Sequence, residues 1–571
     1  MENSKVVAGG SLTQRLEIQE VFEHLSAREK LYAHHMSRAA WDGTRIILRQ
    51  VSFEAEQIFD LILELYQSCS GDWTLLMENC DVDQKNLDNL LEYAALFLGN
   101  IGNYYSEGDQ KITSALTKTA LFKFGRASAK SRALLENVVP AMISPHPSSL
   151  RFPSPNTQSG YYPGPGILSR QEIVEITRVL DSRSIEPENT RIQKSVQDGR
   201  VVYDVLQGST EIGSEEESTQ INGAIATICV VRGDYSDILK NVCASLSKAS
   251  EYAATDSQRA ILDDYIRSFT TESLDTYRES QKKWILEKEP VVENIFGFVE
   301  QYHDPLGVRA ESPGLVAVTD PEETAIFKRF VDEAPKFLRM LPWAAGASEN
   351  DGRGPFEKTS FEAPEFTSIH ALAYCSTIIF EGINLPNYND IRETVGFKNV
   401  IIANRMRANV EGMSAGTLVK KSDMESLGRC RHRVRFVSTA VHELLGHSAS
   451  KLLTRDRDGG ANFDVNNPPI NPLTGKPVTS WYRSGQTWTT VFENLATSVE
   501  ECRASLVAAY LMDVPELMEL FGYTDTGGVT AEELLYNTYL LLAVEGVESL
   551  QHYSVENKGQ AHSRESFGIL K

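Results

Sequence analysis

The stretch His442-Glu443-Leu444-Leu445-Gly446-His447 constrains the fold of this chain more than any other. In the common His-Glu-x-x-His pattern, two imidazoles four residues apart share one helical face and one Zn²⁺, and the intervening glutamate serves as general base. Here the histidines are five apart. At about 100° per residue, five steps carry the second ring roughly 140° around an ideal helix, against roughly 40° for four. Rings that far apart cannot share an ion. The helix must therefore underwind locally, and a single turn closed by an i→i+5 hydrogen bond is the expected device. Gly446 lies inside the insertion, where a missing Cβ makes distortion cheaper. The alternative is a chance meeting of two histidines and a glutamate in an apolar helix.

A metal held by two histidines wants one more protein ligand and an open position for water. A carboxylate from a second helix is the usual supplier. Downstream, Phe492, Leu495, Val499, Cys502 and Leu506 follow a helical period, and Thr490 with Glu493 can form a capping box at its start. Glu500-Glu501-Cys502-Arg503-Ala504 lies on this pattern. Spacing does not choose between Glu493, Glu500 and Glu501, and most of the 78 acidic residues are expected on solvated surface.

Together these two motifs resemble the dipeptidyl peptidase III family of zinc aminodipeptidases. The similarity continues through Leu31 to Trp41, Gly102-Asn103-Tyr104, Glu300 to Pro305, Gly382 to Tyr388, Gly396 to Val400 and Ser480 to Gly485, in order and over nearly the full length. The resemblance implies an α+β, predominantly α-helical chain of two lobes across a wide cleft. One lobe would be helical and hold the zinc; the other would contain a small β-barrel. The mixed lobe is expected over 1–325, with a Pro-rich loop at 140–169. The first part of the zinc lobe follows at 326–367. A return to the mixed lobe, carrying the substrate-binding segment, is expected over 368–415, and the catalytic motifs lie in 416–571.

The same resemblance implies one Zn²⁺ on His442, His447 and Glu501, Glu443 as general base, and Tyr302 and His562 as oxyanion donors. Glu300, Asn384 and Asn387 would hold the free amine of a short peptide, and Glu500 would support a ligand histidine. From the residues alone, Asn384-x-Pro-Asn387 reads as a simple turn. Three departures from the family pattern stand out. Ser448-Ala449-Ser450 replaces Gly-Ser-Gly. Ser505 stands where the family has an acid, a partner for a zinc histidine. Pro313 stands where the family tends to have an amine-binding glutamate, with Glu311 nearby. The family also runs on past the segment resembling Gln560 to Lys571, which leaves a second reading: a peptide-binding homologue with impaired or no turnover. A third reading takes the two histidines and a carboxylate as the iron site of an oxygenase; a glutamate poised beside the first ligand favours hydrolysis.

Composition narrows the partners. A net charge of −22 disfavours nucleic acid and anionic membranes, which need Lys and Arg at the surface. Seven cysteines, an odd number without Cys-x-x-Cys, suggest reduced thiols in a cytoplasmic protein, and a monomer is expected. No apolar run approaches the roughly 20 residues of a membrane span, and no secretory signal is visible at the start.

Residues 12–137 read as helical, with a capping box at Ser26 and Glu29. His34 and His35 are adjacent on that pattern and so point about 100° apart, which favours packing over metal binding. Residues 140–169, rich in Pro, Ser and Gly, read as a loop. Val201 to Tyr203, Ile225 to Val231 and Leu315 to Val318 read as strands. Ser236 is a plausible N-cap for a helix to Thr255, and helix dominates again from about residue 322.

Overall fold

A computed structural model describes residues 14–569, except 107–109, 148, 151, 155–156, 345, 359–364, 409–417, 456–459, 484–485, 487, 493–494, 527, 553–565 and 567. The chain divides into two compact units. The first comprises Met1–Val318 and Ala371–Ile379, the second Thr319–His370 and Phe380–Lys571. Boundaries expected near 326, 368 and 416 thus fall at 319, 371 and 380. From Phe380 onward the chain belongs to the second unit.

The first unit opens with helices, as the sequence period predicts. The longest, Ala27–Val51, starts at the expected capping box: Ser26 Oγ accepts from Glu29 N–H at 3.3 Å, and Glu29 Oε2 accepts from Ser26 N–H at 2.7 Å. Such a cap is worth about 1 kcal/mol. His35 stacks on Tyr252 with ring centroids 5.5 Å apart. His35 is therefore a packing residue, His34 is exposed, and among the described residues neither joins a metal-binding group.

The expected loop begins later than its prolines suggest. Pro140 sits within the last turn of the helix Ala129–Ile143, and Ser169 caps the next helix, Arg170–Ser182. That helix covers a sheet of four strands: β1 (Thr190–Gln197), β2 (Arg200–Gly208), β3 (Gly213–Ile221) and β4 (Ala224–Asp234). Their order is β1-β2-β4-β3, with the central β2–β4 pair parallel and the outer pairs antiparallel. Tyr203, Val205 and Ile228 meet Ile173, Ile176 and Leu180 of the covering helix in one core. Ser236 does not cap the helix that follows. It is the first residue of Ser236–Ser250, and its hydroxyl donates to Thr210 O at 3.1 Å; Tyr235, in a left-handed conformation, takes the cap position.

β5 (Val292–Phe296) and β6 (Gly314–Asp320) pair antiparallel in this unit, and β6 is also bonded to β7 (Glu365–Cys375). In the second unit the first residues of β7 run parallel to β9 (Lys398–Ile402), which pairs antiparallel with β8 (Gly382–Leu385). β5 and β8 each have one neighbour. The expected barrel is therefore found as an open, curled sheet within a mostly helical α+β chain. The three later strands were hidden in the sequence for two reasons: β7 and β9 are buried almost throughout, which removes the alternation that marks a strand, and β8, four residues long, is too short to show one.

Helices of the second unit surround an aromatic and aliphatic core. Phe327, Phe330 and Phe337 of Pro321–Leu338 pack with Val434 and Val437 of Met424–Val441, Leu511 of Ala496–Leu511 and Leu541 of Ala531–Glu548. This core also takes in Leu444 and Leu445 of the histidine motif, both fully buried.

Candidate metal centre

The helix Met424–Val441 runs directly into one π-helical turn, His442–Gly446. His447 N–H donates to His442 O at 3.0 Å, closing the expected i→i+5 ring. The apolar pair Leu444-Leu445 pins this turn to the core from below, while His442 and His447 remain half-buried on the opposite side. Their ring centroids lie 4.7 Å apart with planes at 87°. The extra residue is thus absorbed by underwinding.

Gly446 has a reason beyond flexibility. A Cβ there would lie 2.8 Å from Ala504 Cα, Cβ and O. The helix Ala496–Leu511 crosses the π-turn so closely that only glycine fits. This close crossing delivers Glu500, Glu501 and Ser505 to the histidines.

Glu501 Oε2 is 3.3 Å from His442 Nε2 and 3.8 Å from His447 Nε2. Each Nδ1 has its own partner. Ser505 Oγ lies 3.1 Å from that of His442, and Glu500 Oε1 lies 3.1 Å from that of His447. Glu500 is in turn held by Arg503, whose Nε donates to its Oε2 at 3.0 Å and whose Nη1 donates to Ala449 O at 3.0 Å. Burial alone would raise the Glu500 carboxyl, but the bonds from His447 and Arg503 win and hold it down at about 2. It therefore stays an acceptor at neutral pH and orients the His447 ring.

The donor set fits a zinc ion. Zinc with nitrogen and oxygen ligands at about 2.0–2.1 Å in a tetrahedron spaces its ligand atoms about 3.3 Å apart. Both Nε2 atoms converge on one carboxylate oxygen at close to that spacing, and hydrogen bonds at Nδ1 leave Nε2 lone pairs to face the ion. Ligand atoms of His442, Glu443 and His447 all lie within 4.8 Å of one another. Of the three acids that spacing left open, Glu501 faces both rings and Glu500 supports one of them. Glu493 lies outside the described residues, as does His562. Ser505 does not leave His442 without a partner, since its hydroxyl lies within hydrogen-bond distance of Nδ1.

Glu443 is buried beside the histidines, 7 % exposed. A Cβ on Gly382 would lie 2.8 Å from Glu443 Oε1, so the first residue of β8 presses on this carboxylate. Nothing in the spacing had singled out Gly382. Asn384 lies on β8, in the same unit, and not in a simple turn. Its carboxamide is bonded to Arg392 and Asn399. Asn387 is exposed, just ahead of the helix Asn389–Thr394. Glu300 and Tyr302 belong to the first unit. There Glu311, 3 % exposed, accepts from Ser376 Oγ at 3.0 Å, Thr377 N–H at 2.9 Å and Thr377 Oγ1 at 2.6 Å. Its carboxylate is committed to these three donors.

A second group, Asp320, Glu323 and His370, has ligand atoms equally close together. Its oxygens are already engaged. Asp320 Oδ1 caps a helix through Glu322 and Glu323 N–H at 3.0 and 3.1 Å, and its Oδ2 faces His370 Nε2 at 3.3 Å. Glu323 bonds Ser368 Oγ at 2.6 Å and pairs with Arg407 at 2.5 Å. This is a helix-start network, and the adjacent guanidinium opposes a cation.

The model of peptidase family M49 matches residues 134–571. Dipeptidyl peptidase 3 of Dictyostelium discoideum is 36% identical over 578 residues, spanning 97% of this chain and 79% of that protein. The rat protein of the same name is 35% identical, spanning 97% and 76%. Among solved structures, DPP III from Caldithrix abyssi shares the fold with a TM-score of 0.58 at 17% identity, covering 96% of this chain and 80% of that one.

Proposed function

The chain belongs to peptidase family M49, and from that premise we propose that it is a zinc-dependent exopeptidase releasing dipeptides from the amino end of short peptides. The observation that carries this reading is the convergence of His442 Nε2 and His447 Nε2 on Glu501 Oε2, at 3.3 and 3.8 Å. His442, His447 and Glu501 would hold the ion. When bound, zinc supplies Lewis acidity and lowers the pKa of a water towards about 7.

The protein's own groups do the rest. Glu443 takes the proton of the attacking water on its carboxylate and later delivers it to the nitrogen of the leaving amine. Water oxygen becomes bonded to the scissile carbonyl carbon, the C–N bond breaks, and the dipeptide leaves with a new carboxylate. Ser505 and Glu500 keep the two imidazoles aimed. By family resemblance Tyr302 and His562 donate to the oxyanion, each such donor being worth about 10²–10³ in rate. Glu300, Asn384 and Asn387 anchor the free ammonium, which sets the cut two residues in.

We take short peptides as substrates and a monomer in the cytoplasm as the working form. In support of that compartment, none of the seven cysteines forms a disulfide. The test is metal analysis of the purified protein together with turnover of a dipeptidyl arylamide and of its N-acetylated counterpart. One zinc per chain, with cleavage of the free-amine substrate alone, is expected. Zinc without turnover supports a non-catalytic peptide binder, iron an oxygenase, and efficient cleavage of the blocked substrate refutes the amine anchor.

A further inference from the structure

Arg392 is a residue that the motif pattern did not reveal. It sits on the short helix Asn389–Thr394, with its guanidinium carbon 4.5 Å from the Phe397 ring centroid. Nη1 donates to Asn384 Oδ1 and, at 3.2 Å, to Pro386 O. A guanidinium has donors only. The atom of Asn384 that faces it must therefore be the oxygen, which settles an amide orientation that geometry alone leaves ambiguous. Asn384 Nδ2 is thereby turned towards Asn399 Oδ1. Asn399 is fully buried. Reversing the Asn384 amide would point its two donors at the guanidinium and oppose its oxygen to that of Asn399. One cation thus dictates the polarity of two successive carboxamides.

Burial disfavours the charge of Arg392, and the carboxylates of Glu500 and Glu443 act against that. All these residues belong to the second unit.

We infer that Arg392 is a positioning residue for peptide binding: by fixing the Asn384 carboxamide and the Pro386 carbonyl, it sets the segment that meets the first two residues of the substrate. It acts through Asn384 and makes no contact with the scissile bond. The inference rests on reading the chain as an aminodipeptidase, and it adds the residue that organises the amine-anchoring segment.

The experiment compares the wild type with R392M, R392K, N384A and the double variant R392M/N384A, all loaded with zinc. KM and kcat are measured on a dipeptidyl arylamide, and Kd for the free dipeptide by calorimetry. R392M should raise KM and Kd about tenfold while kcat stays within about threefold, and R392K should recover part of the loss. Adding R392M to N384A should raise KM no further, because residues acting as one unit are not additive. A purely structural arginine would lower the melting temperature and the active fraction and leave KM and Kd in place. That result, or effects that add in the double variant, overturns the inference. If the wild type neither binds the dipeptide nor cleaves the arylamide, the proposed function itself fails. If it does both and R392M matches it, only the role of Arg392 fails.

Discussion

Ser505 Oγ stands 3.1 Å from His442 Nδ1, on the side of the ring away from Glu501. The two histidines of the candidate metal centre are thus supported unequally. His447 leans on an ionised glutamate braced by Arg503, whereas His442 leans on a neutral hydroxyl. A carboxylate raises the basicity of the imidazole it holds; a hydroxyl fixes only its orientation.

Ser505→Ala should therefore weaken zinc binding at the lower end of the range for such supporting groups, about tenfold, and Glu500→Gln by more, towards about 100-fold. Competition with a zinc chelator measures both. Equal zinc affinity in S505A and the wild type would show that the hydroxyl does not orient His442.

Glu443→Gln should fold normally and keep its zinc, because the residue faces the histidines without being needed to close the ligand set. General-base catalysis contributes about 10²–10⁴ in rate, so kcat should fall by at least about 100-fold. Arylamide turnover within tenfold of the wild type would assign the proton transfer elsewhere.

Gly446→Ala places a methyl group 2.8 Å from the backbone of Ala504. The two helices must separate, at a cost of about 1–3 kcal/mol, and Glu501 moves with its helix. Both the melting temperature and zinc affinity should drop. Gly428→Ala, on the preceding helix with open space around it, is the control: alanine there should stabilise by about 0.5–1 kcal/mol. Zinc affinity unchanged in G446A would show that close packing at Ala504 does not set the ligand geometry.

Glu188 offers a pH test away from the metal. Burial pushes its carboxyl up to about 7, and its Oε2 is buried without a hydrogen-bond partner. The folded state then holds a proton that the unfolded state has lost. Stability is highest below the unfolded value of about 4.3 and declines as pH rises through about 7. Glu188→Gln should raise the melting temperature at pH 8 and leave it nearly unchanged at pH 4. Parallel stability curves for the two proteins across that range would contradict a buried carboxyl at this position.

Much of the site was legible because its chemistry is local. Five-residue spacing between two histidines admits one remedy, an underwound turn, since ligand direction depends only on the rotation per residue. The capping box of Ser26 and Glu29 and the Pro-rich loop follow from side chains within three residues of one another, although Thr490 lies inside a helix and does not start one, and Ser236 misled because a serine at a helix start bonds whichever backbone group lies nearer. Other features depended on which elements meet. Spacing could not choose among Glu493, Glu500 and Glu501, because a carboxylate becomes a ligand candidate only through the angle at which its helix crosses the other, and that angle is set by Gly446 against Ala504. β7 and β9 escaped notice because strands buried on both faces lose their alternation, and β8 because so short a strand barely shows one. Ser505, Gly382 and Arg392 acquired their significance through the same kind of tertiary approach: a sequence specifies what each residue can donate or accept, whereas packing decides what comes within reach to receive it.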